Sequence, residues 1–181
     1  MKNIFKYLWS LWEDLFAKIN GIQDINGGNF ALRIAVKKYR GKDMTLNDGT
    51  LLKHGERYIE LHLNNKFFSK ISSHNSSSVY LGITAVKELK KSLHLLKKII
   101  NENPEFFDIN VFMAYSLFYR GIDKLGFEIR EIRSPLVRYI FSIYEKLLLL
   151  IFHPDGIKRL KSKNFTSKNV IITRNTINNL Y

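Results

Sequence analysis

The chain has 181 residues and no cysteine, which excludes a disulfide framework, a thiol nucleophile and any zinc site built on thiolates. Its composition, 45% hydrophobic and 25% charged, is ordinary for a globular protein, and the length favours a single domain over residues 1–181. The formal net charge of +13 predicts attraction to anions, although a basic, solvated surface with no anionic partner explains the same charge.

The first twenty residues are apolar enough to raise the question of export. Glu13 and Asp14 interrupt them, however, and no small-residue cleavage site follows, so they do not fit a signal peptide. The longest unbroken apolar run, Leu147 to Phe152, is far shorter than the ~20 residues of a membrane-spanning helix. We therefore expect a cytoplasmic protein that is soluble or, at most, peripheral to the membrane.

Residues 1–20 predict an amphipathic helix, because large apolar side chains recur in them at helical spacing and Gly21 follows. Both tryptophans, Trp9 and Trp12, lie on this apolar stripe or at its edge. A stripe of this kind can dock on a membrane interface or a partner protein. Packing against the rest of the domain is the commoner role, and we favour it here.

A hydrophobic period of two over residues 29–63 predicts a meander of short antiparallel strands. Asn47-Asp48-Gly49 is typical of a tight turn, and turn chemistry is enough to explain its exposed acid. Alternation in the last strand predicts Ile59, Leu61 and Leu63 on one face and Tyr58, Glu60, His62 and Asn64 on the other.

The second half of the chain alternates helices and strands. Residues 79–103 predict the longest helix, with one buried apolar seam from Val86 to Ile100. A strand pair follows over 109–132, and its first strand is apolar enough to be central. Residues 134–153 predict a helix that is buried or covers another surface, and 170–181 a last strand and helical turn.

This order predicts an α+β (mixed α/β) fold. We expect the antiparallel meander and the central strands to share one mixed sheet. The N-terminal amphipathic helix and the two long helices would pack on that sheet.

Three stretches follow a recognisable pattern. The first, within 43–65, reads T-L-N-D-G-T and then Y-I-E-L-H-L-N-N; the second, within 116–128, reads S-L-F-Y-R-G-I-D-K-L-G-F-E; the third is Ile172-Thr-Arg with a short helix to a terminal Tyr. With the aromatic N-terminal helix, they resemble the YkoP-like domain family of spore-forming bacteria over nearly the whole chain.

The resemblance implies a biological context but no chemical activity, because the family has no established activity. Related domains occur beside polysaccharide deacetylase modules, which implies a role in cell-envelope or sporulation biology. This chain carries no such module, and its five histidines do not form the close metal-binding pair that a deacetylase needs. Deacetylase activity is therefore not carried over.

A first candidate site is a polar cluster at the ends of two predicted strands. His62 lies beside a carboxylate and could contact a ligand or act as a base, although a structural role is commoner for a lone histidine. Strand ends commonly hold ligand sites, and an arginine before a glycine suits a phosphate, although it can also cap or pair locally. The candidate ligand-binding residues are His62, Asn64, Asn65, Tyr119, Arg120 and Lys124.

A second candidate site is a basic surface for anionic lipid. The long helix carries a basic stripe opposite its apolar seam, and a further basic cluster follows residue 157. A solvated helix face is the simpler explanation, and the lack of interleaved aromatic residues disfavours nucleic acid. The candidate residues are Trp9, Trp12, Lys87, Lys91, Lys98, Lys158, Arg159 and Lys161.

No catalytic, metal-binding or cofactor motif is recognisable. Gly27-Gly28 does not form a P-loop, and the chain has no G-x-S-x-G. We therefore favour a non-enzymatic binding or accessory domain, peripheral to the cytoplasmic membrane, whose partner is anionic lipid, an anionic glycan precursor or another protein. The alternative is an enzyme or binding domain for a phosphorylated or sugar-like small molecule.

Overall fold

The structure, a computed structural model, describes residues 2–74, 78–117, 119–132, 134–152 and 166–181. The helices in these ranges are α1 (Lys2–Asn20), α2 (Asn65–His74), α3 (Ser78–Glu102), α4 (Pro135–Phe152) and α5 (Arg174–Leu180). The strands are β1 (Gln23–Asp24), β2 (Leu32–Lys38), β3 (Met44–Thr45), β4 (Leu51–Leu52), β5 (Arg57–Leu63), β6 (Val111–Ser116), β7 (Glu128–Arg130) and β8 (Lys168–Thr173). Short 3-10 turns occupy Ile25–Gly28, Pro104–Phe106 and Ile122–Leu125.

Six strands form one mixed sheet in the order β1-β2-β5-β6-β8-β7. Strands β5 and β6 run parallel, with Glu60 opposite Met113, and the other neighbours in this sheet are antiparallel. The predicted α+β fold with a mixed sheet is therefore confirmed. One detail differs, because β3 and β4 pair with each other as a separate hairpin and leave β2 to pair directly with β5.

One face of the sheet, the core face, packs against α3 and α5 in an aliphatic core. This core contains side chains that are fully buried, among them Ile59, Leu93, Leu96, Ile100, Phe112, Ile172 and Ile177. The predicted seam of α3 is buried only over its second half, and Val86 is 49% exposed. The reason is length, since a helix of 25 residues is about 37 Å long and a strand of seven residues spans only about 23 Å.

The opposite face of the sheet, the second face, is covered in two parts. The β3–β4 hairpin covers one end with a small apolar cluster of Met44, Leu46 and Leu52 on Val111, Met113 and Ile171. Helices α1 and α4 cover the other end, where Phe141 of α4 stacks on Tyr115 with ring centroids 4.3 Å apart. Phe16 of α1 stacks on Tyr144 of α4 at 6.4 Å, so the two helices lie side by side.

Candidate functional site

Helix α1 packs on the protein with the side opposite to the one we expected. Glu13 is only 6% exposed and Ala17 is buried, whereas Trp12, Leu15 and Ile19 are 50%, 51% and 73% exposed. The prediction that the apolar stripe packs on the domain is therefore wrong for these three residues.

Polar contacts explain this orientation. The Asn65 side-chain amide donates a hydrogen bond to Glu13 Oε1 at 3.0 Å, and Lys66 forms an ion pair with Asp14. The Lys37 ammonium donates to the backbone carbonyl of Asn20 at 2.8 Å. Burial raises the pKa of Glu13, and the Asn65 hydrogen bond offsets part of that rise. The start of α2 and strand β2 therefore hold α1 by its polar side.

Helix α4 also turns apolar side chains outward. Leu136 and Tyr139 are 67% and 65% exposed, while Ser142 is buried and hydrogen-bonded to Ser167. Of the two predicted alternatives for this helix, burial or covering another surface, α4 therefore follows the second, since Phe141 covers Tyr115 of the sheet. Because α1 and α4 are neighbours, their outward rows form one exposed surface. We call this the apolar surface; it consists of Leu11, Trp12, Leu15, Ile19, Leu136, Tyr139, Ile140 and Ile143.

The predicted basic surface is divided in the structure. Lys87, Lys91 and Lys98 are exposed on α3, and Lys91 pairs with Glu88 at 2.7 Å. Since α3 packs on the core face, the sheet separates Lys91 and Lys98 from α1 and α4. The side chain of Trp9 is outside the described part of the structure, and so are Lys158, Arg159 and Lys161.

The predicted ligand residues have different surroundings. The buried Asn64 donates to the carbonyls of Gly28 and Phe30 at 3.0 and 3.2 Å and accepts from the Phe67 amide, so it caps α2 and holds the loop before β2. Tyr119 packs against the core and lies beneath the Lys168 ammonium, which is 5.7 Å from its ring centre.

The other predicted ligand residues also lie apart from any depression that we identify. Arg120 and Lys124 are exposed around the 3-10 turn that precedes β7. Two surface depressions, of about 460 and 190 Å³, are lined by residues other than the six candidates.

His62 lies where strand alternation predicts, beside Glu60 and Tyr58 on the second face. Its Nε2 atom is 3.8 Å from Glu60 Oε1, which is too long for a hydrogen bond. Burial lowers the pKa of His62 to about 4, with a further contribution from the positive charges of Lys37 and Arg33. Burial raises the pKa of Glu60, and Lys37 offsets part of that rise. At neutral pH the imidazole is therefore uncharged.

Sequence reasoning missed Tyr115, which completes this group. The β5–β6 register places Glu60 opposite Met113, so Tyr115, two residues further along β6, lies on the same face as Glu60 and His62. Burial raises the pKa of Tyr115, and the charge of Glu60 adds to that rise. The strand alternation of β6 was readable, but its pairing with β5 was not, because two helices separate them in the chain.

Comparison with known proteins identifies the family. The model of the YkoP domain matches residues 2–181. This chain belongs to the YkoP domain family. It is similar to the "Uncharacterized protein YkoP" of Bacillus subtilis (strain 168), with 23% identity over 168 residues, which is 91% of each chain. No solved structure matches the chain.

The three stretches that resemble the YkoP family meet in this structure. Asp48 of the first accepts a hydrogen bond from the hydroxyl of Thr173 in the third, and Glu128 of the second accepts from the Asn47 amide at 2.9 Å. Burial alone would raise the pKa of Asp48, but its hydrogen bonds, first that from Thr173, lower it. Asp48, which we explained by turn chemistry alone, thus also connects the β3–β4 hairpin to the end of β8.

The part of this YkoP domain that the structure describes contains no helix long and apolar enough to cross a membrane. Two features call for a functional explanation: the apolar surface of α1 and α4, and the partly buried polar side chains of Glu60 and His62 on the second face.

Proposed function

We propose that this YkoP domain is a non-enzymatic binding domain that attaches peripherally to an anionic membrane through the apolar surface of α1 and α4. The observation that carries the proposal is the orientation of α1, which turns Trp12 outward and Glu13 inward. Contiguous exposed apolar patches on a protein mark interaction sites. Withdrawing a large apolar side chain from water is worth about 1.5–3 kcal/mol, so partial insertion of several such side chains offsets the cost of association.

Charge favours an anionic lipid surface as the partner. The chain carries a net charge of +13, and Lys18, next to Ile19 in α1, and Arg138, in the first turn of α4, are both exposed. Each basic residue close to an anionic bilayer contributes about 1 kcal/mol of attraction. Trp12 and Tyr139 are of the residue types that prefer the boundary between headgroups and acyl chains. A position on the cytoplasmic leaflet and a part in cell-envelope or sporulation biology belong to the same proposal.

Vesicle binding tests the proposal. We expect the purified protein to co-sediment with vesicles of phosphatidylglycerol and phosphatidylcholine but not with phosphatidylcholine alone, and to dissociate as salt is raised. Both tryptophans lie in α1, so binding is also expected to shift tryptophan emission to shorter wavelength.

A matched pair of variants tests whether vesicle binding requires the apolar surface or only exposed apolar side chains in general. The double change Trp12→Ala and Ile19→Ala is expected to weaken vesicle binding at least about tenfold. The control, Phe107→Ala with Leu180→Ala, removes two side chains that are exposed elsewhere and is expected to bind like the unchanged protein. Circular dichroism checks that both variants fold. Equal binding by the two variants, or equal binding to both kinds of vesicle, contradicts the proposal.

A further inference from the structure

The larger of the two surface depressions, of about 460 Å³, lies where β2 ends and where β5 and β6 begin. Lys38 of β2 and Arg57 of β5 line it from the sheet, and Leu51 and Leu52 of β4 line it from the hairpin. Small-molecule sites have volumes of roughly 300–1,000 Å³, so the space is large enough for a ligand. Its lining residues differ from those of the apolar surface, so a ligand here is independent of membrane attachment.

Two basic side chains lie next to each other at this depression. The β2–β5 register puts Lys38 directly opposite Arg57, and like charges in such cross-strand positions repel each other. Arg57 is already engaged, because its Nη1 donates to the Asp108 carboxylate at 3.0 and 3.2 Å and its Nη2 donates to the Glu105 carbonyl at 3.0 Å. Within the described residues, the Lys38 ammonium forms no hydrogen bond or ion pair. The arrangement therefore leaves one positive charge at the depression for an anionic group.

Acidic side chains at the same depression limit what that anion can be. Glu56 is exposed; its Oε2 atom accepts from the Lys53 amide at 2.9 Å, and its Oε1 atom has no donor among the described residues. A purely anionic ligand would be repelled by Glu56 and Asp108, and a purely cationic ligand would be repelled by Lys38. The charges therefore favour a zwitterion, in which a negative and a positive group lie close together.

The third feature of the depression is an apolar wall. Leu52 and Val111 are each 1% exposed, and Leu51 beside them is 44% exposed. An aliphatic group that covers Leu51 removes apolar area from water, which favours binding. A carboxylate, an ammonium group and an aliphatic side chain on one small molecule are the features of an apolar α-amino acid.

We infer that this depression binds an α-amino acid with an aliphatic side chain, such as leucine. The ligand carboxylate would accept hydrogen bonds from Lys38 and Arg57, and the ligand ammonium would donate to Glu56. The aliphatic side chain would lie against Leu51. Because Asp108 already holds the guanidinium of Arg57 in position, little ordering of that side chain is needed when the ligand binds.

Four probes that differ in single groups test the inference. They are leucine; leucine amide, which lacks the carboxylate; N-acetylleucine, which lacks the charged amine; and glycine, which lacks the side chain. The backbone amide signals of Gly55 and Val111, which line the depression, are followed by NMR at about pH 6.5, where the free amines are protonated. We expect millimolar leucine to shift both signals saturably, and the other probes to bind at least about tenfold more weakly. The inference is overturned if leucine does not saturate, or if another probe binds as tightly.

A pair of lysine variants locates the site. Lys38→Gln removes the unpaired ammonium and is expected to weaken leucine binding about tenfold. Lys42→Gln changes the net charge equally at an exposed position outside the depression and is expected to bind leucine like the unchanged protein. Circular dichroism checks that both variants fold. Both are expected to bind anionic vesicles alike, which separates failure of this site from failure of membrane attachment. Equal losses of leucine binding in the two variants would reject the assignment.

Discussion

The two faces of the central sheet come from the same strands and differ in almost every physical property. On the core face, Ile59 and Phe112 lie opposite each other, both fully buried, beneath aliphatic side chains of α3 and α5. On the second face, one residue further along β5, Glu60 lies opposite Met113, and Tyr115, two residues further along β6, stacks on Phe141 of α4. Strand alternation alone produces this difference, because successive side chains point to opposite faces.

The comparison separates stability from function. The core face is closed and apolar, so its side chains contribute through burial and close packing. The second face holds titratable groups whose burial is unfavourable, and such groups concentrate at functional sites. We therefore assign stability to the core face, and the proposed membrane attachment to the helices that cover the second face.

The largest effect is expected on the core face. Leu96→Ala leaves a cavity beneath the sheet and should lower the free energy of unfolding by about 2–5 kcal/mol. Tyr58→Phe on the second face should change it by less than about 1 kcal/mol, because the ring is retained. Urea denaturation of both variants measures the difference. Similar losses for both variants would mean that both faces contribute equally to the free energy of unfolding.

The second prediction concerns the pH dependence caused by His62. Its pKa in the folded state is about 4, below the value of 6.5 expected when unfolded, so the unfolded chain binds more protons between these values. Stability should therefore rise with pH from about 4 to 6.5 and should then level off. The shift corresponds to a contribution of about 3 kcal/mol, lost as pH falls through 4. Lys37 and Arg33 lower the same pKa, and the nearby acid is Glu60, whose Oε1 is 3.8 Å from His62 Nε2.

A variant isolates this contribution from the other titrating groups. His62→Gln should remove its share of the slope between pH 4 and 6.5, whereas His54→Gln, which changes an exposed histidine of the hairpin loop, should retain it. Urea midpoints over a pH series provide the measurement. If both variants keep the slope of the unchanged protein, His62 is not buried as described.

The sequence predicted the helices and strands better than it predicted which residues pack against each of them. The alternation in β5 placed Glu60 and His62 on one face, since that depends only on strand geometry. The orientation of α1 was predicted wrongly, because its apolar stripe indicated the other side and the deciding contact joins Glu13 to Asn65, 52 positions away. Likewise, nothing local indicated that Tyr115 shares a face of the sheet with Glu60 and His62, since the β5–β6 pairing spans two helices.

A smaller effect is expected from Glu60 itself. Burial raises its pKa in the folded state, so the contribution of this group is favourable at low pH and is lost as pH rises through the folded pKa. Glu60→Gln, which cannot ionise, should therefore be more stable than the unchanged protein at pH 7 and about equally stable at pH 4. The control is Glu56→Gln, at an exposed position just before β5. Destabilisation by Glu60→Gln at pH 7 would show that the carboxylate is needed in its charged form.

The smallest effect is expected where the hairpin closes over the second face. Asp48 accepts from Thr173, so Asp48→Asn exchanges a charged acceptor for a neutral one in the tie between hairpin and β8. Because Asp48 is exposed, we expect a loss of less than about 1 kcal/mol. Its pKa is lowered in the folded state, so the loss should be present at neutral pH and should vanish as pH falls through that folded pKa.

Asp43→Asn is the matched control, because Asp43 accepts a hydrogen bond within the hairpin region, from the His54 amide at 2.8 Å. Hydrogen exchange of the Met44 and Leu52 amides should increase in Asp48→Asn if this tie holds the hairpin on the sheet. An equal increase in Asp43→Asn would instead assign hairpin closure to local turn contacts, leaving the cover of the second face independent of the C-terminal helix.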